Sequence, residues 1–140
     1  MKLFAVTLGC LSLLAVRGQA CDYYPLPLNQ AVGAASDVFV GAVRSVETHG
    51  SLVKGRVIVE RSWKGVRAGR QVTVYTSQSD CGVFMRPGLE VIIFARRGTI
   101  PGLPGQLFTE RPDGSGELVN VGQLTKELGP PLTCWKRIGR

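Results

Sequence analysis

From Asp37 onward the 140-residue chain is built of short, β-branched, alternating apolar segments broken by Gly and Pro, a pattern that commits it to strands rather than helices. Residues 37–47 (DVFVGAVRSVE) read as a first long strand, with Gly41 a candidate bulge or bend. His49-Gly50-Ser51 reads as a turn, and residues 55–63 (GRVIVERSW) as a second strand ended by Lys64-Gly65. Residues 71–76 (QVTVYT), 89–96 (LEVIIFAR) and the weaker 106–109 (QLFT) complete five strands, separated by Gly and Pro at Pro87-Gly88, Pro101-Gly102, Pro104-Gly105 and Asp113-Gly114. Five strands at irregular spacing suit a small closed β-barrel, which leaves no exposed edges. Alternation turns Val38, Val40, Val57, Val59, Val72, Val74, Val91 and Ile93 inward, and Phe39 and Trp63 read as core. Two short helices are expected, over 28–35 and over 121–128, the second halted by Gly129-Pro130-Pro131. The expected layout is one mostly β domain over 21–120, followed by a short helix and basic tail over 121–140.

Residues 1–20 read as an export signal: Lys2 is basic, Leu3 to Val16 is almost wholly apolar, and Gly18-Gln19-Ala20 offers small residues to a signal peptidase. The apolar run is shorter than the roughly 20 residues needed to span hydrocarbon, so a cleaved leader fits better than an anchor. Cleavage after Ala20 makes Cys21 the first residue of a secreted or periplasmic protein. Gly18-Gln19-Ala20 lacks the apolar residue normally found three positions before a lipidated cysteine, which weighs against lipidation of Cys21. Losing Lys2 and Arg17 with the leader takes the formal charge from +7 to +5, a balance that favours acidic partners without choosing among them. Of four cysteines, Cys10 leaves with the leader; Cys21, Cys81 and Cys134 remain where thiols pair, with one left over.

Little in the chain suggests catalysis. His49, the one histidine, sits beside Gly50 without a positioned nucleophile, and no acidic cluster or Cys/His spacing suggests a metal site. No cofactor, intrinsic metal or catalytic residue is therefore expected. Arg56, Arg61, Lys64, Arg67 and Arg70 form a basic run that is either a solvated face or a patch for acidic polysaccharide or an anionic envelope surface. Nucleic acid is disfavoured by the export signal and by the few aromatics among these charges.

Several features occur in one order. A cysteine after the leader is followed by Pro25. Then come Ala35-Ser36-Asp37-Val38-Phe39-Val40-Gly41, Trp63-Lys64-Gly65, Thr76-Ser77-Gln78-Ser79-Asp80-Cys81-Gly82 and Pro87-Gly88-Leu89-Glu90-Val91. In this the chain, over about residues 21–97, resembles the inhibitory domain of tissue inhibitors of metalloproteinases and the related netrin-like modules. The resemblance implies a five-stranded oligonucleotide/oligosaccharide-binding barrel and a disulfide between Cys21 and Cys81. It further implies a protein partner, a zinc metalloprotease, whose catalytic zinc is chelated by the free α-amine and carbonyl of Cys21. An α-amine titrates near about 8, so a useful fraction is uncharged at neutral pH. The partner-binding residues implied are Cys21, Asp22, Tyr23, Tyr24 and Pro25 with Ser77, Gln78, Ser79 and Asp80. Tyr23 and Tyr24 could face the partner or cover one end of the barrel.

The sequence departs from the family at two places. Inhibitors of the family usually carry a second cysteine two residues after the first, paired to one at the fifth strand; here those places read Tyr23 and Leu107-Phe108-Thr109. Both ends are missing together, as for loss of one whole disulfide. The second residue of the implied mature chain, which in the family enters the protease's main specificity pocket, is Asp22. Desolvating a carboxylate in a mostly apolar pocket is costly, which weighs against broad inhibition. The plainer role for Cys21 and Cys81 is a staple that only holds the first segment onto the barrel.

Overall fold

The structure is a computed structural model that describes residues 21, 26–113, 115–116 and 121–133. The proposed leader, residues 22–25, Cys134 and the rest of the basic tail lie outside the described residues.

The β-branched segments form strands as expected, with longer first and second members. A helix α1 (Leu28–Ala34) leads into β1 (Asp37–His49), β2 (Leu52–Lys64), β3 (Gln71–Ser77), β4 (Glu90–Arg97) and β5 (Leu107–Phe108). A 3-10 turn (Arg111–Asp113), helix α2 (Val121–Leu128) and a two-residue β6 (Leu132–Thr133) follow. The β1–β2 turn is tighter than the sequence suggests, because His49 already pairs with Leu52. Gly50 opens this two-residue loop at φ 63°, a positive value that glycine reaches without a Cβ penalty. The fifth strand is shorter than expected. Thr109 lies just past β5; its amide still donates to the Tyr75 carbonyl at 2.9 Å, and its buried hydroxyl is satisfied by the Phe94 carbonyl at 2.9 Å and the Ser115 hydroxyl at 2.5 Å.

All six strands belong to one sheet. β1 pairs antiparallel with both β2 and β4, β4 with β5, and β2 with β3 and β6, while β3 and β5 run parallel. Three irregularities interrupt the β1–β2 ladder, one of them between Val40 and Gly41. A Cβ at Gly41 would collide with the Ile58 carbonyl and the Val57 side chain, so close backbone approach explains the glycine there.

Two apolar clusters hold the fold. The first draws Phe39 and Val43 from β1, Val57 and Val59 from β2, Val74 from β3, Val91, Ile93 and Ala95 from β4 and Leu107 from β5, with Val83 and Met85 from the β3–β4 connection. A Cβ at Gly55 would press on the Met85 sulfur, so Gly55 makes the room this side chain fills. Val72 packs against the same cluster and is half-buried.

Val38 and Val40 correct the sequence reading. They belong with Ile92 and Phe94 to a second cluster, covered by Ala31 of α1 and Leu124 of α2. The two helices bury the face of β1 and β4 opposite the first cluster. Residues 37–40 are therefore apolar or buried on both sides, and alternation alone could not assign the faces. Phe39 is fully buried, as expected for core. Trp63 is half-buried instead. It packs beside the second cluster, and its indole Nε1 donates to the Gly129 carbonyl at 3.2 Å.

Candidate functional site

Cys21 and Cys81 form a disulfide, with Cα atoms 5.3 Å apart across 60 residues of sequence. Closing a loop of that length stabilises the fold by about 4 kcal/mol in the chain-entropy model. The bond brings Cys21 beside the segment that leaves β3, residues 77–80.

That segment is fixed by its own polar groups. Ser77 Oγ lies 2.7 Å from Ser79 Oγ, which accepts from the Cys81 amide at 3.3 Å. The Gly82 amide donates to the Ser79 carbonyl at 2.8 Å, closing a turn around Asp80 and Cys81. A Cβ on Gly82 would strike the Ser77 carbonyl, so the Cys-Gly step has a steric cause. Immediately beyond, the buried Thr76 hydroxyl accepts the Val83 amide at 2.8 Å and aims Val83 into the first cluster. From the other side the Arg111 amide donates to the Cys81 carbonyl at 2.8 Å, and the Gln78 amide reaches the Ser51 carbonyl at 3.1 Å. Gln78, Ser79 and Asp80 remain exposed on this pinned backbone, while Ser77 and Cys21 are half-buried. Asp22, Tyr23, Tyr24 and Pro25 lie outside the described residues.

Phe84, close by in the chain, is an exposed apolar side chain that sequence reasoning missed. It is 66 % exposed, three residues past the disulfide, between the buried Val83 and Met85. The alternation Val83-Phe84-Met85 could have given it away: with both neighbours turned inward, the middle side chain must point out.

The motifs behind the family resemblance meet in a second place. Asp37, fully buried, accepts from Ser36 Oγ at 2.6 Å, from the Val66 amide at 2.9 Å and from Arg97 Nη2 at 2.8 Å. Gly65 sits against this carboxylate at φ 78°, where a Cβ would strike Asp37 Oδ1. Lys64 Nζ donates to the Val32 carbonyl at 3.0 Å and also to that of Ala35. Ala35-Ser36-Asp37 and Trp63-Lys64-Gly65 thus form one latch between α1, the start of β1 and the end of β2, and its chemistry is structural.

The basic run does not come together as one patch. Arg61 pairs with Glu90, Arg56 lies 3.9 Å from Glu47, and Lys64 is committed to the latch. Arg67 and Arg70 instead line an open depression of about 390 Å³ after β2. His49 packs edge-on to Tyr75, ring centroids 5.7 Å apart. Among the described residues no helix is long and apolar enough to cross a membrane, and no three His, Cys, Asp or Glu side chains are grouped to hold a metal ion. In comparisons with known proteins, no family model matches the chain and no curated protein matches it.

Proposed function

We propose that the chain is an exported protein-binding module of the metalloproteinase-inhibitor or netrin-like type, its five main strands closed into an oligonucleotide/oligosaccharide-binding barrel. The barrel reading is supported by the pairing pattern, in which each of β1 to β5 is hydrogen-bonded to two others of the five. The functional reading rests on one observation, the disulfide from Cys21 to Cys81. If export ends in cleavage after Ala20, this bond holds a free α-amine and its carbonyl beside the exposed Gln78, Ser79 and Asp80. An uncharged amine and a carbonyl on one residue are two ligands that can displace the water on a partner protease's zinc. Asp22 then narrows the range of targets, because a carboxylate entering an apolar pocket must lose its hydration.

The test is inhibition of a panel of zinc metalloproteases by protein whose amino terminus is verified as Cys21, beside the same protein carrying one alanine ahead of it. The extension should abolish inhibition and leave the fold unchanged, since an amide nitrogen is not a basic ligand and the added residue occupies the metal site. Asp22→Thr should tighten binding to proteases with apolar pockets. Inhibition that survives the extension rules out chelation. No inhibition by either the native protein or Asp22→Thr removes the inhibitor reading.

A further inference from the structure

The turn joining β2 to β3 holds two arginines that face no carboxylate among the described residues. Of the five basic residues at 56–70, Arg56 and Arg61 face carboxylates and Lys64 caps carbonyls. Among the described residues, no carboxylate lies within ion-pair distance of Arg67 or Arg70. Both are exposed, and both line the depression of about 390 Å³, whose walls also include the half-buried Val66 and Val72 with Gly65 and Gln71.

The backbone beneath this pair is fixed from three sides. The Gly69 amide donates to the Val59 carbonyl at 2.7 Å, and the Val59 amide donates to the Arg70 carbonyl at 2.8 Å. The Val66 amide is held by the buried Asp37 carboxylate at 2.9 Å. Gly65 and Gly69, at φ 78° and 84°, let the chain make these bends. Two guanidinium groups are therefore carried on an anchored turn, so less ordering of the backbone opposes binding there. Guanidinium forks match the oxygens of carboxylate and sulfate groups, and weakly hydrated arginine suits a site with apolar walls.

We propose that this depression binds an acidic polysaccharide, with Arg67 and Arg70 each receiving a carboxylate or sulfate group and Val66 and Val72 lying under the sugar ring. A polymer suits an open depression, which a chain can cross without being enclosed. The site is independent of the disulfide end of the molecule, and its binding does not require a free Cys21 amine.

The probe is a sulfated, uronate-containing oligosaccharide of the heparin type, titrated into the whole protein by calorimetry at low and physiological salt. Arg67→Gln/Arg70→Gln should weaken binding by about tenfold or more, the scale expected for losing two charge-assisted contacts. Lys54→Gln/Arg56→Gln removes the same charge from β2 and should stay within about twofold, because charges away from the site are screened and these two already face Glu47. Unchanged thermal unfolding of both variants would attribute the difference to the site. Absence of binding by the native protein, equal loss in the two double variants, or equally tight binding of polyglutamate of matched length would each overturn the proposal.

Discussion

Asp37 is the residue on which most of the local geometry depends. Its carboxylate is fully buried, yet it is matched by a hydroxyl, a backbone amide and a half-exposed guanidinium. Asp37→Ala leaves the Val66 amide and the Arg97 guanidinium without their acceptor, while the Ser36 hydroxyl keeps the Ala95 carbonyl at 3.1 Å, and should cost about 2–4 kcal/mol in urea unfolding. Gly65→Ala should also destabilise, by about 1 kcal/mol or more, through its left-handed backbone alone. The clash with Asp37 adds to that and disappears when Asp37 is alanine. The double variant is therefore expected to lose less than the two single variants together, and simple additivity would show that the two residues do not press on each other. The individual letters of this latch were visible in the sequence, but their contact was not. Asp37 and Gly65 are joined only because a hairpin of irregular register brings the end of β2 back onto the start of β1.

At the scale of elements, punctuation made some boundaries legible. The second helix was readable from residue 121 to residue 128 because Gly129, at φ 81°, and two prolines stop it, and the first was readable to within one residue. β6 was missed: Leu132 and Thr133 show no periodicity and are paired only because Arg61 and Ser62 offer a free edge. The faces of β1 were misread at Val38 and Val40 because neither helix's docking site is written in local alternation. α2 docks through Leu124, which is completely buried in the second cluster. Leu124→Ala should cost about 2–5 kcal/mol, the range for truncating a buried leucine. Leu128→Ala, at an exposed position of the same helix, should change stability by about 0.5 kcal/mol or less. Equal effects at the two positions would mean that the helix does not pack as described.

For the whole molecule, the candidate site was legible through two cysteines and a likeness of order, while its shape was not. Phe84 escaped notice because it stands in a connection, where the alternation is only three residues long. The basic run looks continuous along the chain, but folding hands Arg56 and Arg61 to carboxylates on β1 and β4 and leaves Arg67 and Arg70 at the turn. The disulfide should matter to stability as well as to presentation. Cys81→Ser is expected to lose about 4 kcal/mol if the denatured chain is loosened as the loop-entropy model holds, and reducing agent should lower the urea midpoint of the native protein by that free energy divided by the denaturant slope m. A midpoint indifferent to reduction would remove the staple role. Chelation is tested most directly at the metal. In an inhibited protease whose zinc is replaced by cobalt(II), the visible absorption should change on binding, as an amine and a carbonyl displace one water and raise the coordination number. A cobalt spectrum unchanged in the inhibited complex would contradict direct ligation by Cys21.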